Sequence, residues 1–232
     1  MEKGEGNYSK TLVVVAALNE REGIGPTLAD IENCMPDSLR LVVDGRSVDG
    51  TVKIAEAMGA RVVFQNGSGK GDALATAVQC LDNYKVKYVA FMDADFTYPA
   101  EYLQKMITIL EENLDVGMVC GNRFNNRVNL GKMHNILYMG NRILALMHNL
   151  LNGMQMQDPL TGLRVVRRAI LKNWKPKSKG FDVEVELNHH VERKGYQIRE
   201  IPIHYRPRVG EKKLQIKHGF RILQRILLEN MN

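Results

Sequence analysis

The chain has 232 residues, of which 44% are apolar and 25% are charged, as is usual for one globular domain. Its 32 basic and 26 acidic residues give a net charge of +6, which favours an anionic partner such as nucleic acid, phospholipid or a phosphorylated substrate. The sequence has no apolar run near the roughly 20 residues that cross a bilayer, and its polar first residues do not resemble a signal peptide. We therefore expect a cytoplasmic protein.

In the first half of the chain, short apolar runs rich in β-branched residues alternate with amphipathic helical patterns. The predicted strands are residues 11–16, 39–43, 61–64, 88–92 and 116–120. In the second half, the patterns predict a helix over 132–152, a strand over 163–167, a helix over 182–194 and a strand over 197–203. Continuous apolar strands separated by helices indicate a mostly parallel sheet that is buried on both faces. The predicted fold class is an α/β sandwich.

The sequence has no internal repeat and no linker rich in Gly, Ser or Pro. We therefore predict one domain over residues 1–232, with two functional halves at about 10–124 and 125–232. The cysteines, Cys34, Cys80 and Cys120, are odd in number and lie in or beside apolar segments. This pattern predicts reduced packing residues and neither a disulfide framework nor a zinc site.

Polar residues follow the predicted strands at their carboxyl ends, where ligands bind in parallel sheets. Asn19 and Glu20 follow the first strand, Asp44 closes the second, and Asp93-Ala94-Asp95 closes the fourth. The segment 66–71, which contains Gly69 and Lys70, follows the third strand. We expect these four strand ends to meet at one edge of the sheet.

The strongest chemical signal is the pair Asp93 and Asp95. Two carboxylates flanking one residue at a strand end can hold a divalent cation against a diphosphate. The alternative is a solvated turn that caps the next helix, which Pro99 would begin.

Two loops strengthen the metal interpretation. Residues 43–51, with Asp44 and Ser47, could recognise a base and a ribose, although Asp44 alone is equally a loop carboxylate. Residues 66–71 could bring backbone amides and Lys70 close to a diphosphate. That segment lacks the spacing of a P-loop, and no GxGxxG fingerprint follows the first strand.

These segments in this order resemble family 2 glycosyltransferases of the GT-A fold, and within them the polyprenyl-phosphate sugar synthases, over nearly the whole chain. The resemblance rests on residues 17–20 (ALNE), 44–51 (DGRSVDGT), 93–95 (DAD), 121–123 (GNR), 157–164 (QDPLTGLR) and 205–214 (YRPRVGEKKL). The sequence departs from the family where Gly45 replaces a second aspartate, Arg46 replaces a glycine, and Phe96-Thr97 replaces Leu-Gln.

The resemblance implies a three-layer GT-A sandwich around a mostly parallel mixed sheet, with a Rossmann-like nucleotide-binding half. It implies an inverting, metal-dependent glycosyltransferase that uses Mg²⁺ or Mn²⁺, held by Asp93 and Asp95. It further implies a nucleotide-sugar donor that contacts Ala17, Asn19, Glu20, Asp44, Ser47, Gly69, Lys70, Asp93 and Ala94. A resemblance of residues 180–187 to glucosyl-type members favours a UDP-sugar over GDP-mannose.

The implied acceptor is the phosphate of a polyprenyl lipid such as dolichyl phosphate. Guanidinium and ammonium groups suit this acceptor, and we assign the role to Arg123, Lys132, Arg164, Arg208 and Lys213. A phosphate monoester is mostly a dianion at neutral pH, so it could attack the anomeric carbon without a general base. A sugar hydroxyl would need a base, for which Asp158 is the candidate; Asp158 could equally cap the turn that follows it.

Three other functions remain as alternatives. A transferase acting on a sugar hydroxyl would share most of these residues. A nucleotidyltransferase would carry a glycine-rich loop directly after the first strand, where this chain has residues 17–20. A non-catalytic nucleotide-sugar-binding module would be favoured by degraded metal ligands, whereas both aspartates are present. Nucleic acid is disfavoured as a partner because aromatics are only 6% of the chain and form no stacking pattern.

A lipid acceptor requires contact with a membrane. Ile216, Phe220, Leu223 and Leu227 form an apolar helical stripe beside Lys217, Arg221 and Arg225, as expected for a helix at a membrane interface or for one packed on the domain. The methionine-rich segment 132–156 suits a polyprenyl chain or the core. We therefore expect a peripheral protein on the cytoplasmic face of a membrane, with a small membrane-anchor subunit as a further candidate partner.

Overall fold

The computed structural model describes residues 10–124, 135–153, 155–211 and 216–230. Its strands are β1 (Thr11–Ala17), β2 (Leu39–Asp44), β3 (Arg61–Phe64), β4 (Tyr88–Asp93), β5 (Val116–Asn122), β6 (Arg164–Arg167) and β7 (Gln197–Pro202). Its α-helices are α1 (Arg21–Cys34), α2 (Thr51–Ala57), α3 (Lys70–Cys80), α4 (Tyr102–Glu112), α5 (Asn135–Asn152), α6 (Arg168–Leu171), α7 (Val183–Arg193) and α8 (Ile216–Asn230). One 3₁₀ turn, Leu81–Asn83, follows α3.

The seven strands form one sheet in the order β3-β2-β1-β4-β6-β5-β7. Strands β1 to β4 pair in parallel, so their carboxyl ends share an edge. Strand β6 is antiparallel to both of its neighbours, β4 and β5, and β7 is parallel to β5. The sheet is therefore mixed but mostly parallel, and the α/β prediction is confirmed. The predicted strands match β1 to β7 to within two residues at each end.

The core lies on both faces of the sheet, because side chains alternate along each strand. On β1, Val13 and Val15 pack with apolar residues of α1 and α4, whereas Leu12 and Val14 pack with residues of α3 and α7. Two helical layers thus enclose one sheet, which is the three-layer sandwich that the resemblance implied.

A third apolar cluster joins α5, α7 and α8. It contains Leu160, Val185, Ile222 and Ile226, with Leu144 packed against it. The opposite face of α8 is exposed: Phe220 is 73% and Leu227 is 45% accessible. Two of the four residues in the apolar stripe predicted for α8, Phe220 and Leu227, therefore face outward.

The three cysteines are free thiols, and Cys120 is buried in β5, as the prediction of packing residues requires. Burial raises the pKa of the Cys120 thiol to about 12, so it stays protonated and inert. Among the described residues, the structure has no helix that is both long and apolar enough to cross a membrane.

Candidate active site

A cavity of about 840 Å³ opens at the carboxyl edge of the sheet. The predicted convergence of strand ends is present here, because residues after β1, β3 and β4 all line it. Nine of the predicted site residues contribute to its wall: Ala17, Glu20, Gly69, Lys70, Asp93, Ala94, Asp95, Arg123 and Arg208.

The two aspartates occupy the end of β4. Asp95 is almost fully buried, and its Oδ1 accepts hydrogen bonds from the backbone N–H and the hydroxyl of Thr97, at 3.1 and 2.6 Å. Burial and the charge of Asp93 raise the pKa of Asp95, and the bonds from Thr97 and the charge of Arg208 only partly offset them. Gly162 packs closely against Asp93: a Cβ at residue 162 would lie 2.5 Å from Asp93 Oδ2. Thr97 thus holds Asp95 in place through two hydrogen bonds.

Lys70, at the start of α3, points its ammonium group between two carboxylates. Its Nζ lies 2.6 Å from Asp93 Oδ1 and 2.7 Å from Glu184 Oε1 on α7. Burial acts to lower the pKa of Lys70, but the two carboxylates outweigh it and raise that pKa above its usual value. The lysine is therefore charged, and it joins the strand end to a helix of the second half of the chain.

The segment 204–210 lies across the same edge of the sheet. Its Arg208 guanidinium donates to Asp95 Oδ2 and to Glu20 Oε1, and the N–H of Val209 donates to the carbonyl of Asp95 at 3.1 Å. Arg206, which also lines the cavity, anchors the segment to α1 through a two-point ion pair with Asp30, at 2.8 and 3.2 Å.

Arg123, which follows β5, is held by a buried aspartate. Its Nε and Nη2 donate to the two oxygens of Asp158, both at 2.7 Å, and its backbone N–H donates to Asp158 Oδ2 at 3.0 Å. Burial acts to lower the pKa of Arg123, yet the Asp158 charge raises that pKa well above its usual value. Asp158 is fully buried and does not line the cavity, so it orients Arg123.

The loop after β2 sits beside the cavity and does not line it. Asp44 is fully buried, and its carboxylate accepts from the N–H and the hydroxyl of Ser47, at 2.7 and 2.6 Å. The N–H of Asn19 donates to the Ser47 hydroxyl at 2.7 Å, and Asn19 Oδ1 accepts from Val48 at 2.9 Å. Asp44, Ser47 and Asn19 therefore fix the loops after β1 and β2 to each other. Arg46 has a φ of 67°, a conformation that suits glycine.

The glycines at the start of α3 allow close packing with residues 178–180. A Cβ at Gly69 would lie 2.3 Å from the carbonyl oxygen of Lys179, and one at Gly71 would lie 2.0 Å from that of Ser178. The N–H of Gly71 donates to the Lys179 carbonyl at 3.0 Å. This amide is therefore used within the fold, whereas Gly69 and Lys70 of the same loop line the cavity.

Arg164 differs most from its predicted role in phosphate binding. It is 1% exposed, and its guanidinium donates to the carbonyls of Thr161 and Pro159 at 2.8 and 2.6 Å and to Asn188 Oδ1 at 2.5 Å. These partners enclose the Arg164 guanidinium, so Arg164 stabilises the buried core and does not line the cavity. Lys132 and Lys213 lie outside the described residues.

Several lining residues were not predicted from the sequence, notably Glu184, Tyr98, Tyr205 and Phe181. Tyr98 supports the loop before β6, because its hydroxyl oxygen accepts the N–H of Gly162 at 2.7 Å. A signal for Glu184 exists: Glu184 and Glu186 alternate with Val183, Val185 and Leu187, and all five residues are buried in α7. Buried carboxylates of this kind need a specific partner.

The aspartate pair fits a divalent cation. Asp93 and Asp95 offer hard oxygen ligands. Burial, and after it the charge of Asp93, raise the pKa of Asp95, and a bound cation would favour the charged form of both carboxylates. No group of three or more His, Cys, Asp or Glu side chains suited to a metal occurs among the residues that the structure describes. Mg²⁺ is commonly bound by one or two carboxylates of the protein, so an aspartate pair is a sufficient protein contribution.

The fold and this site define a glycosyltransferase. Residues 12–174 match the model of the glycosyl transferase family 2, and the chain belongs to that family. The predicted family and enzyme class are thereby confirmed.

Among curated relatives, a dolichyl-phosphate hexose transferase of Haloferax volcanii is 34% identical over 90% of this chain and 89% of its own length. The glycosyltransferase AglJ of the same organism is 34% identical over 84% of this chain and 63% of its own length. Among solved structures, glucosyl-3-phosphoglycerate synthase of Mycobacterium tuberculosis with UDP has a TM-score of 0.75 at 21% identity, over 95% of this chain and 80% of that one. The same synthase has been solved with Mn²⁺, UDP and glucosyl-3-phosphoglycerate. This likeness shows the GT-A fold.

Proposed function

We propose that the chain transfers a hexose or an N-acetylhexosamine from a nucleotide sugar to a polyprenyl phosphate such as dolichyl phosphate, with inversion at the anomeric carbon. One observation carries the proposal: the same cavity is lined by a carboxylate pair, Asp93 and Asp95, and by a group of three arginines, Arg123, Arg206 and Arg208. The first suits a metal-bound diphosphate, and the second suits a phosphate acceptor. The similarity to the dolichyl-phosphate hexose transferase supports this acceptor class.

The donor side would be formed mainly by residues from about 10 to 124 and the acceptor side mainly by residues from about 125 to 232, with Arg123, at the boundary, on the acceptor side. Ala17, Glu20, Gly69, Lys70 and Ala94 line the cavity on the donor side. Asn19, Asp44 and Ser47 would act indirectly, by fixing the loops around the nucleoside. A UDP-sugar is the first donor to test and GDP-mannose the second.

Asp93 and Asp95 would hold Mg²⁺ or Mn²⁺. When bound, such an ion neutralises the negative charge that builds up on the departing nucleoside diphosphate. Lys70, which contacts Asp93, would add a second positive charge to the same side of the reaction. The structure of the M. tuberculosis synthase with Mn²⁺ and UDP supports testing these two ions first.

On the acceptor side, Arg123 and Arg208 would offset the repulsion between two phosphorylated substrates. A phosphate oxygen of the lipid forms the new bond to the anomeric carbon, while the bond from that carbon to the diphosphate oxygen breaks and its electron pair leaves with the diphosphate. The phosphate monoester is already a dianion near neutral pH, so no proton has to be removed. A single displacement of this kind inverts the anomeric configuration.

The contacts of the lining carboxylates disfavour a hydroxyl acceptor. Asp93 and Glu184 contact Lys70, and Asp95 and Glu20 contact Arg208. A carboxylate that is paired with a cation is a poor general base, since the cation stabilises its deprotonated form. Asp158, the candidate base, is enclosed with Arg123 and orients it.

Contact with a membrane is supported by α5 and α8. Both helices border the cavity, through Asn141 on α5 and through His218 and Ile222 on α8. Ile143, Leu146 and Leu150 are 58%, 57% and 70% exposed and share one face of α5 by their spacing. Together with Phe220 on α8, they would let the protein act peripherally, on the cytoplasmic face of a membrane where nucleotide sugars are supplied.

The decisive experiment measures transfer from radiolabelled UDP-sugars and GDP-mannose to dolichyl phosphate, with Mg²⁺ or Mn²⁺, in the organic phase. Labelled lipid from one donor, lost in Asp95→Asn and kept in Asp37→Asn, would support the proposal. Asp37 is an exposed aspartate away from the cavity. Transfer to a water-soluble sugar instead of the lipid would refute the acceptor class.

The membrane step is tested separately by sedimentation with vesicles that contain anionic lipid. Replacing Ile143, Leu146 and Leu150 with serine should release the protein from the vesicles, because about 25 cal/mol is lost for each Å² of apolar area no longer buried. Leu114→Ser is the matched control, since Leu114 is 79% exposed and lies between α4 and β5. Unchanged sedimentation of the triple variant would refute docking through α5.

A further inference from the structure

We propose that Glu184 is a positioning residue for Lys70: it offers the lysine a second partner, so that Asp93 becomes available to a divalent cation when the donor binds. This inference rests on the proposed function, because it concerns the same carboxylate pair. It adds a residue of the second half of the chain to the donor side of the site.

The ammonium group of Lys70 lies between two carboxylates. Its nitrogen atom is 2.6 Å from Asp93 and 2.7 Å from Glu184, so the lysine contacts both carboxylates at once and keeps Glu184 if Asp93 turns away. Glu184 is buried, and the lysine side chain is only 10% exposed. The ring of Phe181 is centred 5.9 Å from the ammonium nitrogen, close enough for a cation–π contact.

Contacts of Glu186 and of residues 178–180 fix the position of the helix that carries Glu184. The carboxylate of Glu186, two residues further along α7, accepts the N–H groups of Lys177 and Ser178, both at 2.7 Å. The segment from Ser178 to Gly180 in turn packs on the glycines at the start of α3. The helix that carries Lys70 and the helix that carries Glu184 are therefore fixed to each other through one short segment.

The charges explain why a second carboxylate is needed. If Lys70 had only Asp93 as a partner, the two would form a neutral buried pair, and a divalent cation would have to break that pair in order to bind. A buried ammonium without a partner is strongly unfavourable. With Glu184 present, Lys70 keeps a partner within hydrogen-bond distance when Asp93 turns to the cation.

The test measures Mn²⁺ binding in the presence of UDP, by the electron paramagnetic resonance signal of free Mn²⁺. Glu184→Gln should weaken Mn²⁺ binding on the order of tenfold, as expected when a charged hydrogen-bond partner is lost. In a Lys70→Met background, the same substitution should change the Mn²⁺ dissociation constant less than about threefold, because the lysine through which it acts is gone.

Glu192→Gln is the control. Glu192 lies on the same helix but is exposed and does not line the cavity, so its replacement should leave Mn²⁺ binding unchanged. If Glu184→Gln does not fold, Glu184→Asp replaces it: the charge stays, but the carboxylate is withdrawn by one methylene group, and weaker binding is again expected.

Unchanged Mn²⁺ binding in the folded Glu184 variant would overturn the proposal. So would equal weakening with and without Lys70, since Glu184 would then act by its own charge. Absence of sugar transfer in the unaltered protein would instead refute the proposed function, because the binding measurement uses only UDP and Mn²⁺.

Discussion

Asp158→Asn tests whether the buried pair of Asp158 and Arg123 orients a substrate-binding guanidinium. The aspartate is fully buried and accepts three hydrogen bonds from Arg123. Asparagine keeps the shape but removes the charge and presents an N–H₂ group to donors. Removing one charge of a buried pair costs about 3 to 5 kcal/mol, and we expect the lower end because one carbonyl acceptor remains.

For a domain of this size, about 3 kcal/mol corresponds to a fall in melting temperature of roughly 6 to 12 °C. Differential scanning calorimetry measures it. The control is Asp82→Asn, which breaks the exposed ion pair between Asp82 and Arg168 and should shift the melting temperature by less than about 2 °C.

The same variant separates two roles for Asp158 in catalysis. An aspartate that orients Arg123 should, when replaced, raise the KM for the phosphate acceptor more than it lowers kcat. An aspartate that acts as a general base should lower kcat and leave the KM unchanged. A melting temperature within about 2 °C of the unaltered protein, or a loss confined to kcat, would refute the reasoning.

Three further predictions concern stability and are all measured by thermal or urea unfolding. Gly71→Ala should destabilise the protein by more than about 2 kcal/mol, because its Cβ would lie 2.0 Å from the Ser178 carbonyl oxygen. Its control, Gly140→Ala on α5, places a Cβ where nothing lies within 4 Å and should stabilise the protein by about 0.5 to 1 kcal/mol; equal effects of the two substitutions would contradict the packing argument. Burial, with the charges of neighbouring cationic groups, lowers the pKa of His148 to about 3, so only the unfolded chain takes up this proton as the pH falls below about 6.5. The contribution of His148 to stability should therefore fall by about 2 kcal/mol between pH 7 and 5, and His148→Gln should remove this part of the pH dependence. Arg46→Gly should leave stability unchanged or raise it by up to about 1 kcal/mol, since the φ of 67° strains any residue with a Cβ; a clear loss would show that the arginine side chain makes a stabilising contact.

The strand ends of the first half were predictable from periodicity alone. Parallel strands bring their carboxyl ends to one edge, so the order of residues along the chain is enough to group Asp93, Asp95 and Glu20. Their mutual geometry was not predictable, because Arg208, which contacts Asp95 and Glu20, is more than a hundred residues away along the chain.

The arginines show more clearly what could not be predicted from the sequence. Arg123 and Arg164 both stand in segments that resemble the family, and the resemblance assigns both the same role. In the structure Arg123 lines the cavity, whereas Arg164 is enclosed beneath it. Exposure depends on how the second half packs on the sheet, and a pattern of residue types does not contain that information. For the same reason the sequence did not separate Glu184, which faces Lys70, from Glu186, which holds a loop.

The position of β6 constrains the order in which the molecule can form during synthesis. Strand β5 does not pair with β4; β6, which comes more than forty residues later, lies between them. Until Arg167 has left the ribosome, β4 has an open edge and β5 has no neighbour to join it to the first four strands. A nascent chain that ends near residue 124 therefore exposes unpaired backbone, which invites association with other chains. Fragments cut between the two halves should consequently be recovered only when both are produced together.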